Sequence, residues 1–364
     1  MLPPSFIHIN GVNFAAMFNS NENSRQVANW LLLGVFMIVV QILIGGITRL
    51  TESGLSITEW KPITGALPPL NEKDWMIEFQ KYMRTDQFKY VHSDFTISDF
   101  KFIFFWEWFH RQWARLLGIV FLLGFFYFLS RKKFSRNMVF PMIVLFLLGA
   151  LQGAVGWIMV KSGLVPEKYY VGHVELTIHL IAAIILLVYT LWFALSLKPS
   201  FQERINMTGI PSILTALSIL LFIQIIYGGF MAGLKAAYSA PTWPDINGSF
   251  LPASASDQQP FIKNLVNNNL MVHFIHRSLA YLILVISVVF YFRSSGTGSI
   301  LFNRLRNWFL LFVTCQVILG ILTVINSTNR VSLAWFGVIH QFVAMLIIIV
   351  VTMMVFMNRK TGRL

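Results

Sequence analysis

The chain has 364 residues, of which 56% are hydrophobic and 12% charged, with a mean hydropathy of +0.66. These values exclude an ordinary soluble domain. The net charge of +13 has no basic face or nucleic-acid motif beside it, and the single cysteine, Cys315, excludes a disulfide framework and a Cys-rich metal site.

Apolar runs of about 20 residues, each long enough to cross a bilayer core of roughly 30 Å, recur eight times. They fall at 27–48, 101–130, 137–160, 171–197, 209–236, 269–292, 304–326 and 333–357. Basic residues cluster in alternate connections: Arg25 before the first span, Arg131, Lys132, Lys133 and Arg136 after the second, Lys198 and Arg204 after the fourth, Arg293, Arg304 and Arg306 around the start of the seventh, and Arg359, Lys360 and Arg363 at the end. The positive-inside rule puts all of these, and both termini, in the cytoplasm. The connection at 49–99 is mildly acidic, with six Lys/Arg against eight Asp/Glu, as expected of the opposite side. Residues 1–26 have no short apolar core with a cleavage site and are not Arg-rich. The first span then serves as the insertion signal, and a bacterial cytoplasmic membrane is the expected location.

In chain order, the first span carries Gln41 and Gly45 and ends at Arg49. The loop beyond it is rich in turn formers and Trp, and residues 72–90 mix charge with aromatics, as a helix lying on the membrane surface does. The second span carries Glu107, His110 and Arg111, the third Gln152 and Gly156, and the fourth His173 and His179. The fifth carries Gln224 and Gly228, and a second turn-rich, Trp-bearing loop occupies 237–268. The sixth carries His273, His276 and Arg277, the seventh Cys315, Gln316 and Gly320, and the eighth His340.

The order repeats. His110 to His179 is 69 residues and His276 to His340 is 64; Glu107-Trp-Phe-His-Arg111 matches His273-Phe-Ile-His-Arg277; and Gln-x-x-x-Gly occurs in every odd span. The expected fold is therefore an all-α integral membrane protein of eight transmembrane helices. They form two duplicated four-helix bundles, 1–200 and 201–364, related by a pseudo-twofold axis along the membrane normal. At 1.5 Å per residue His110, His179, His276 and His340 all lie roughly 10–14 Å below the outer boundary.

An ionisable residue inside a span marks function. Four histidines at one depth form two facing pairs, and zinc or copper sites would recruit Cys, carboxylates or a third His. An apolar surround rich in Phe suits haem iron held between imidazoles. The Gln-x-x-x-Gly words serve either close helix packing or direct contact with a cofactor. Glu107, three residues before His110, either handles protons or pairs with Arg111. Arg111 and Arg277 either bind haem propionates or snorkel to headgroups; Arg49 is a weaker candidate of the same kind. His173 points off the ligand face, and Cys315 is a packing residue. Glu107 against His273 is an asymmetry: one half reacts and the other holds a cofactor.

These residues resemble the haem A synthase family. The shared features are the eight spans, Glu-x-x-His-Arg at 107–111, the run Thr48 to Ser56, Glu-Trp-Lys-Pro at 59–62, and His-Arg-Ser-Leu-Ala-Tyr at 276–281. The likeness covers about 27–357 and is greatest to the subgroup, shared by proteobacteria and mitochondria, that lacks loop cysteines. The resemblance implies oxidation of the C8 methyl of haem O to the formyl group of haem A, for terminal oxidases. The route would be successive hydroxylations and loss of water from the gem-diol. It implies resident haem b on His276 and His340, substrate haem O on His110 and His179, and Glu107 as the catalytic carboxyl. Haem O synthase, terminal-oxidase assembly factors and an electron donor are the implied partners, and a homo-oligomer is compatible. His273 stands where the family pattern suggests Gln or another neutral residue, so it is either a second candidate ligand or a hydrogen-bonding group. The alternative is a dihaem, cytochrome b-like electron-transfer subunit, which would place equivalent pairs at two depths. A transporter of parallel repeats would need broken helices and midplane polar residues.

Overall fold

A computed structural model describes residues 22–59, 64–198, 201–205 and 207–359. The Trp-Lys-Pro run at 60–62, His8, Lys360 and Arg363 lie outside them. The chain forms α1 (Glu22–Leu50), α2 (Glu72–Met83), α3 (Asp86–Val91), α4 (Ile97–Ser130), α5 (Val139–Gly163), α6 (His173–Ser196), α7 (Ile210–Gly233), α8 (Ile262–Asn267), α9 (Asn269–Arg293), α10 (Ile300–Ile325) and α11 (Arg330–Met357). Eight of these, α1, α4, α5, α6, α7, α9, α10 and α11, are long and apolar enough to cross a membrane. Among the described residues there is no strand. Helices α4, α10 and α11 start a turn earlier than hydropathy alone suggests because polar residues cap them, whereas α6 and α7 are shorter than expected. Thr96 and Asp99 form a reciprocal capping box at α4, with Thr96 N–H donating to the Asp99 carboxylate at 2.9 Å. Asn268 and Asn329 cap α9 and α11 in the simpler way.

Burial separates a central block from peripheral helices. In their most apolar stretches α1 and α6 are 50% buried and α11 44%, against 6% for α4 and α5. The centre is α1 packed on α6 and α11, with α6 also against α7 and α11. Close approach needs small residues. At Gly229 of α7 an added Cβ would meet Thr177 Oγ1 of α6 at 2.5 Å. Gln341 of α11 donates to the Ile42 carbonyl of α1 at 2.8 Å. Consecutive spans pack as hairpins, α1 with α4, α5 with α6, α7 with α9 and α10 with α11.

The periphery is unequal. In the second half α9 and α10 pack together around Phe290, Phe302, Phe309 and Val313, all buried. In the first half α4 and α5 share no packed interface. They converge near their connection, where Phe125 and Phe128 meet Phe134.

Residues 72–91 are two helices rather than one surface helix. Thr85 breaks the run and caps α3, accepting from Phe88 N–H at 3.2 Å. Part of their apolar surface packs on α4: Phe79 and Tyr82 are buried with Phe100, Ile103 and Phe104, while Met76, Ile77 and Tyr90 stay exposed.

Gly229→Leu is expected to destabilise the protein by about 1–3 kcal/mol through overpacking of α6 against α7. Thermal unfolding in detergent checks it, with Gly118→Leu, where an added Cβ meets nothing within 4 Å, as the neutral comparison.

Candidate functional site

His110, His179, His276 and His340 are each held by the Gln-x-x-x-Gly word of the preceding span. Gln41 Nε2 lies 3.1 Å from His110 Nε2 and also donates to the His110 carbonyl at 3.3 Å. Gln152 Nε2 lies 3.5 Å from His179 Nε2 and donates to the His179 carbonyl at 3.2 Å. Gln224 reaches His276 Nε2 at 3.4 Å and Gln316 reaches His340 Nε2 at 3.1 Å. The glycines leave room for the rings. A Cβ added at Gly45 would lie 3.1 Å from His110 Cε1, at Gly156 2.7 Å from His179, at Gly228 3.5 Å from His276 and at Gly320 3.2 Å from His340. The words therefore position imidazoles rather than only bringing helices together, and sequence spacing alone left that choice open.

Two of the four cradles meet. The rings of His276 and His340 face each other with centroids 6.5 Å apart and planes at 63°. Two metal–nitrogen bonds of roughly 2 Å each, with the ring radii behind them, separate axial imidazole centroids by about 6 Å. The observed pair fits that span. The Oε1 atoms of Gln41, Gln152, Gln224 and Gln316, and Nδ1 of His179, His276 and His340, are buried without a hydrogen-bond partner. Buried polar atoms left in this state are costly, so the cradles are incomplete on their own. Among the described residues no group of three or more His, Cys, Asp or Glu is arranged to hold a bare metal ion. The donor set therefore suits an iron tetrapyrrole better than isolated zinc or copper.

The neighbours of His110 and His276 are tied to the loops. Glu107 is buried; its Oε2 accepts from Ser56 Oγ at 2.7 Å and from Ile57 N–H at 2.9 Å, and its Oε1 accepts from Arg111 at 2.5 Å. Arg111 also donates to the Ile57 carbonyl at 3.3 Å. In the second half His273, fully buried, accepts at Nε2 from Arg277 Nε at 3.0 Å. Arg277 donates onward to the carbonyls of Asp245 and Thr242, both at 2.7 Å. Glu107–Arg111 and His273–Arg277 thus fasten their loops in the same way, one through an ion pair and one through a neutral acceptor. His273 is a hydrogen-bond acceptor here, and both arginines turn toward the loops. Arg49 donates to the carbonyls of Ala232 and Gly233, at 2.6 and 3.1 Å, tying α1 to α7. His173 sits against Gly233, its ring 5.7 Å from Phe230, in the α6–α7 contact and away from the cradles. Cys315 is half-buried in α10.

One cluster had no signal in the sequence. Glu52 binds His92 Nε2 at 3.1 Å and pairs with Lys235, which lies over the Tyr170 ring. His92 Nδ1 is 2.7 Å from the Tyr82 hydroxyl, and Gln87 donates to the Glu52 carbonyl at 3.2 Å. Burial raises the Glu52 carboxyl, but the hydrogen bonds from His92 and Lys235 outweigh that and hold it down at about 2. The cluster joins the loop after α1, helices α2 and α3, and the start of the loop after α7. It fixes the same loop, 51–57, that holds Glu107. The pairing of His92 with Glu52, 40 residues apart, leaves no periodic trace.

The fold and site define a multi-pass membrane protein with paired, glutamine-held histidines inside its helix bundle. Residues 28–352 match the family model of the cytochrome oxidase assembly proteins, COX15-CtaA. A Heme A synthase of Flavobacterium psychrophilum is 39% identical over 338 residues, 91% of this chain and 97% of that protein. Heme A synthases of Beijerinckia indica and Rhodospirillum centenum are 40% and 41% identical over 91% and 83% of this chain, and over 92% and 81% of their own lengths. The chain belongs to the cytochrome oxidase assembly protein family, with bacterial haem A synthases among its relatives.

The Glu52 pairing stabilises the fold fully above the ordinary carboxylate range and is lost as pH falls from about 4.5 toward about 2. Glu52→Gln should therefore lower the thermal midpoint at neutral pH, and the gap to wild type should narrow on acidification through that window, as followed by scanning fluorimetry.

Proposed function

We propose that this protein makes haem A by oxidising the C8 methyl group of haem O to a formyl group. The observation that carries the reading is the set of four Gln–His–Gly cradles, with His276 and His340 meeting at a centroid separation of 6.5 Å, in a chain of the cytochrome oxidase assembly family. In this reading residues 1–200 and 201–364 are two halves related by a pseudo-twofold axis along the membrane normal. His276 and His340 hold resident haem b, and His110 and His179 hold the substrate. Both termini are cytoplasmic, in a bacterial inner membrane, and the loops bearing Glu52 and Asp245 cap the outer face. Haem O synthase, terminal-oxidase assembly factors and an electron donor are partners in the same reading, and a homo-oligomer is compatible with it.

When bound, the haem iron supplies the redox chemistry that side chains lack. The chain supplies position, dry surroundings and a proton path. Gln152 and Gly156 set the ring of His179, and Gln41 and Gly45 that of His110, so the substrate plane is fixed by two helix hairpins. Glu107 handles protons: Ser56 Oγ–H at 2.7 Å from its Oε2 leads toward the loop, and Arg111 keeps the carboxyl from turning away. Arg111 and Arg277 reach haem propionates only if they give up some of their loop carbonyls. Within this reading His273 replaces the carboxyl in the half that performs no chemistry, which removes a negative charge one turn from a resident ligand.

An electron-carrying dihaem subunit would need two equivalent pairs. The unlike companions Glu107 and His273 favour the enzyme, as do the relatives. His276→Ala and His340→Ala should each abolish resident haem b, measured as the pyridine haemochrome of purified protein; full retention in both would remove that assignment. Glu107→Gln should keep haem b while haem A in cells co-expressing a haem O synthase falls by about 100-fold, measured by mass spectrometry of extracted haems. Unchanged haem A would end the proton-handling role.

A further inference from the structure

The two halves differ at one place beside the cradles. On α5 the face that holds His179 with Gln152 and Gly156 continues through Gly149, with Gly153 on its shoulder, at roughly 100° per residue. A Cβ added at Gly149 or Gly153 meets nothing within 4 Å. One and two turns nearer the start of α5, Leu145 and Met142 on the same face are buried. The open stretch therefore begins at Gly149 and leads to the buried, unpartnered Gln152 Oε1 and His179 Nδ1. Beyond it α4 and α5 share no packed interface.

In the second half the register Gln316–Gly320 sets Val313 opposite Gly149 and Val317 opposite Gly153. Val313 is 2% exposed, and Phe309 and Phe290 close the gap between α9 and α10 with ring centroids 5.9 Å apart. The counterpart of Phe290 in α4, 166 residues earlier, is Gly124, whose side is filled by Trp30 of α1. At the level of Phe309 both halves are filled, since its counterpart Leu145 is buried as well; the halves part at the next turn, where Val313 is buried and Gly149 is open.

We infer that the α4–α5 slot, floored by Gly149 and Gly153, accepts the isoprenoid tail of the substrate, and that the valine-sealed counterpart restricts the second half to a tetrapyrrole without one. This rests on the haem A reading above. Haem O differs from haem b in carrying a long isoprenoid alcohol where haem b has a vinyl group. An apolar chain of that length cannot be enclosed by a four-helix bundle already packed to native density, whereas a slot facing lipid takes it with little desolvation cost. The tail thus sorts the two haems between halves that offer the same axial ligands.

The test transplants the seal. Purified full-length protein carrying resident haem b is titrated with haem O and with added haem b, followed by the Soret band. Gly149→Val/Gly153→Val should weaken haem O by about tenfold and leave the binding of added haem b unchanged. Equal loss for both haems, or unchanged haem O binding, overturns the inference. If the double variant loses resident haem b, and so does not fold, Gly153→Cys in a Cys315→Ser background replaces it. A lipid-soluble maleimide should label that cysteine, and haem O but not haem b should protect it. Lack of protection, or equal protection by both, overturns the inference. Wild-type conversion of haem O is assayed alongside: if conversion occurs and the slot tests fail, only the slot falls; if wild type makes no haem A, the functional reading itself falls.

Discussion

An imidazole inside a bilayer needs a polar partner, because no water is at hand to replace one. For His110, His179, His276 and His340 the partner comes from the neighbouring span. A glutamine reaches the ring, and a glycine one turn on lets the ring approach the helix closely. That requirement sets the helix hairpins: α1 must lie on α4, α5 on α6, α7 on α9 and α10 on α11, or a histidine and a glutamine are stranded together. The site and the packing are one constraint.

The loops extend it. Glu107 and His273 each lie three residues before a cradled histidine, His110 or His276, and each is gripped by a loop, through Ser56 and Ile57 or through an arginine that reaches the Asp245 loop. The grip is equal in form and unequal in charge. A carboxylate with three donors sits beside one pair of rings, and a neutral ring sits beside the other. The Glu52–His92–Lys235 cluster carries the grip one layer outward, so the loop that holds Glu107 is itself held by the start of the loop after α7.

Much of this was legible in the sequence. Hydropathy found the eight spans, and the repeat of His and Gln-x-x-x-Gly found the cradles, because both follow helical periodicity, which survives in one dimension. The purpose of the glutamines was not decidable, since packing and ligand support use the same residue types at the same spacing. His92 carried no signal because its partners, Glu52 and Tyr82, come from separate loop segments with no common period. Amphipathicity over residues 72–90 predicts one helix because it does not register the break at Thr85, nor that Phe79 and Tyr82 pack on Phe100 and Phe104 of α4. The separation of α4 from α5 was also invisible, because Gly149 and Gly153 look alike whether they admit a neighbour or leave a gap.

The bond from Gln341 to the Ile42 carbonyl has a bearing on biogenesis. The first and last membrane helices lie side by side at the centre, so α1 waits through the synthesis of nearly the entire chain before its flank is covered. The ribosome must release α11 before the core exists as a closed object. A message truncated ahead of α11 therefore yields a polypeptide whose first helix never finds its final neighbour, which gives membrane quality control a ready mark of incompleteness.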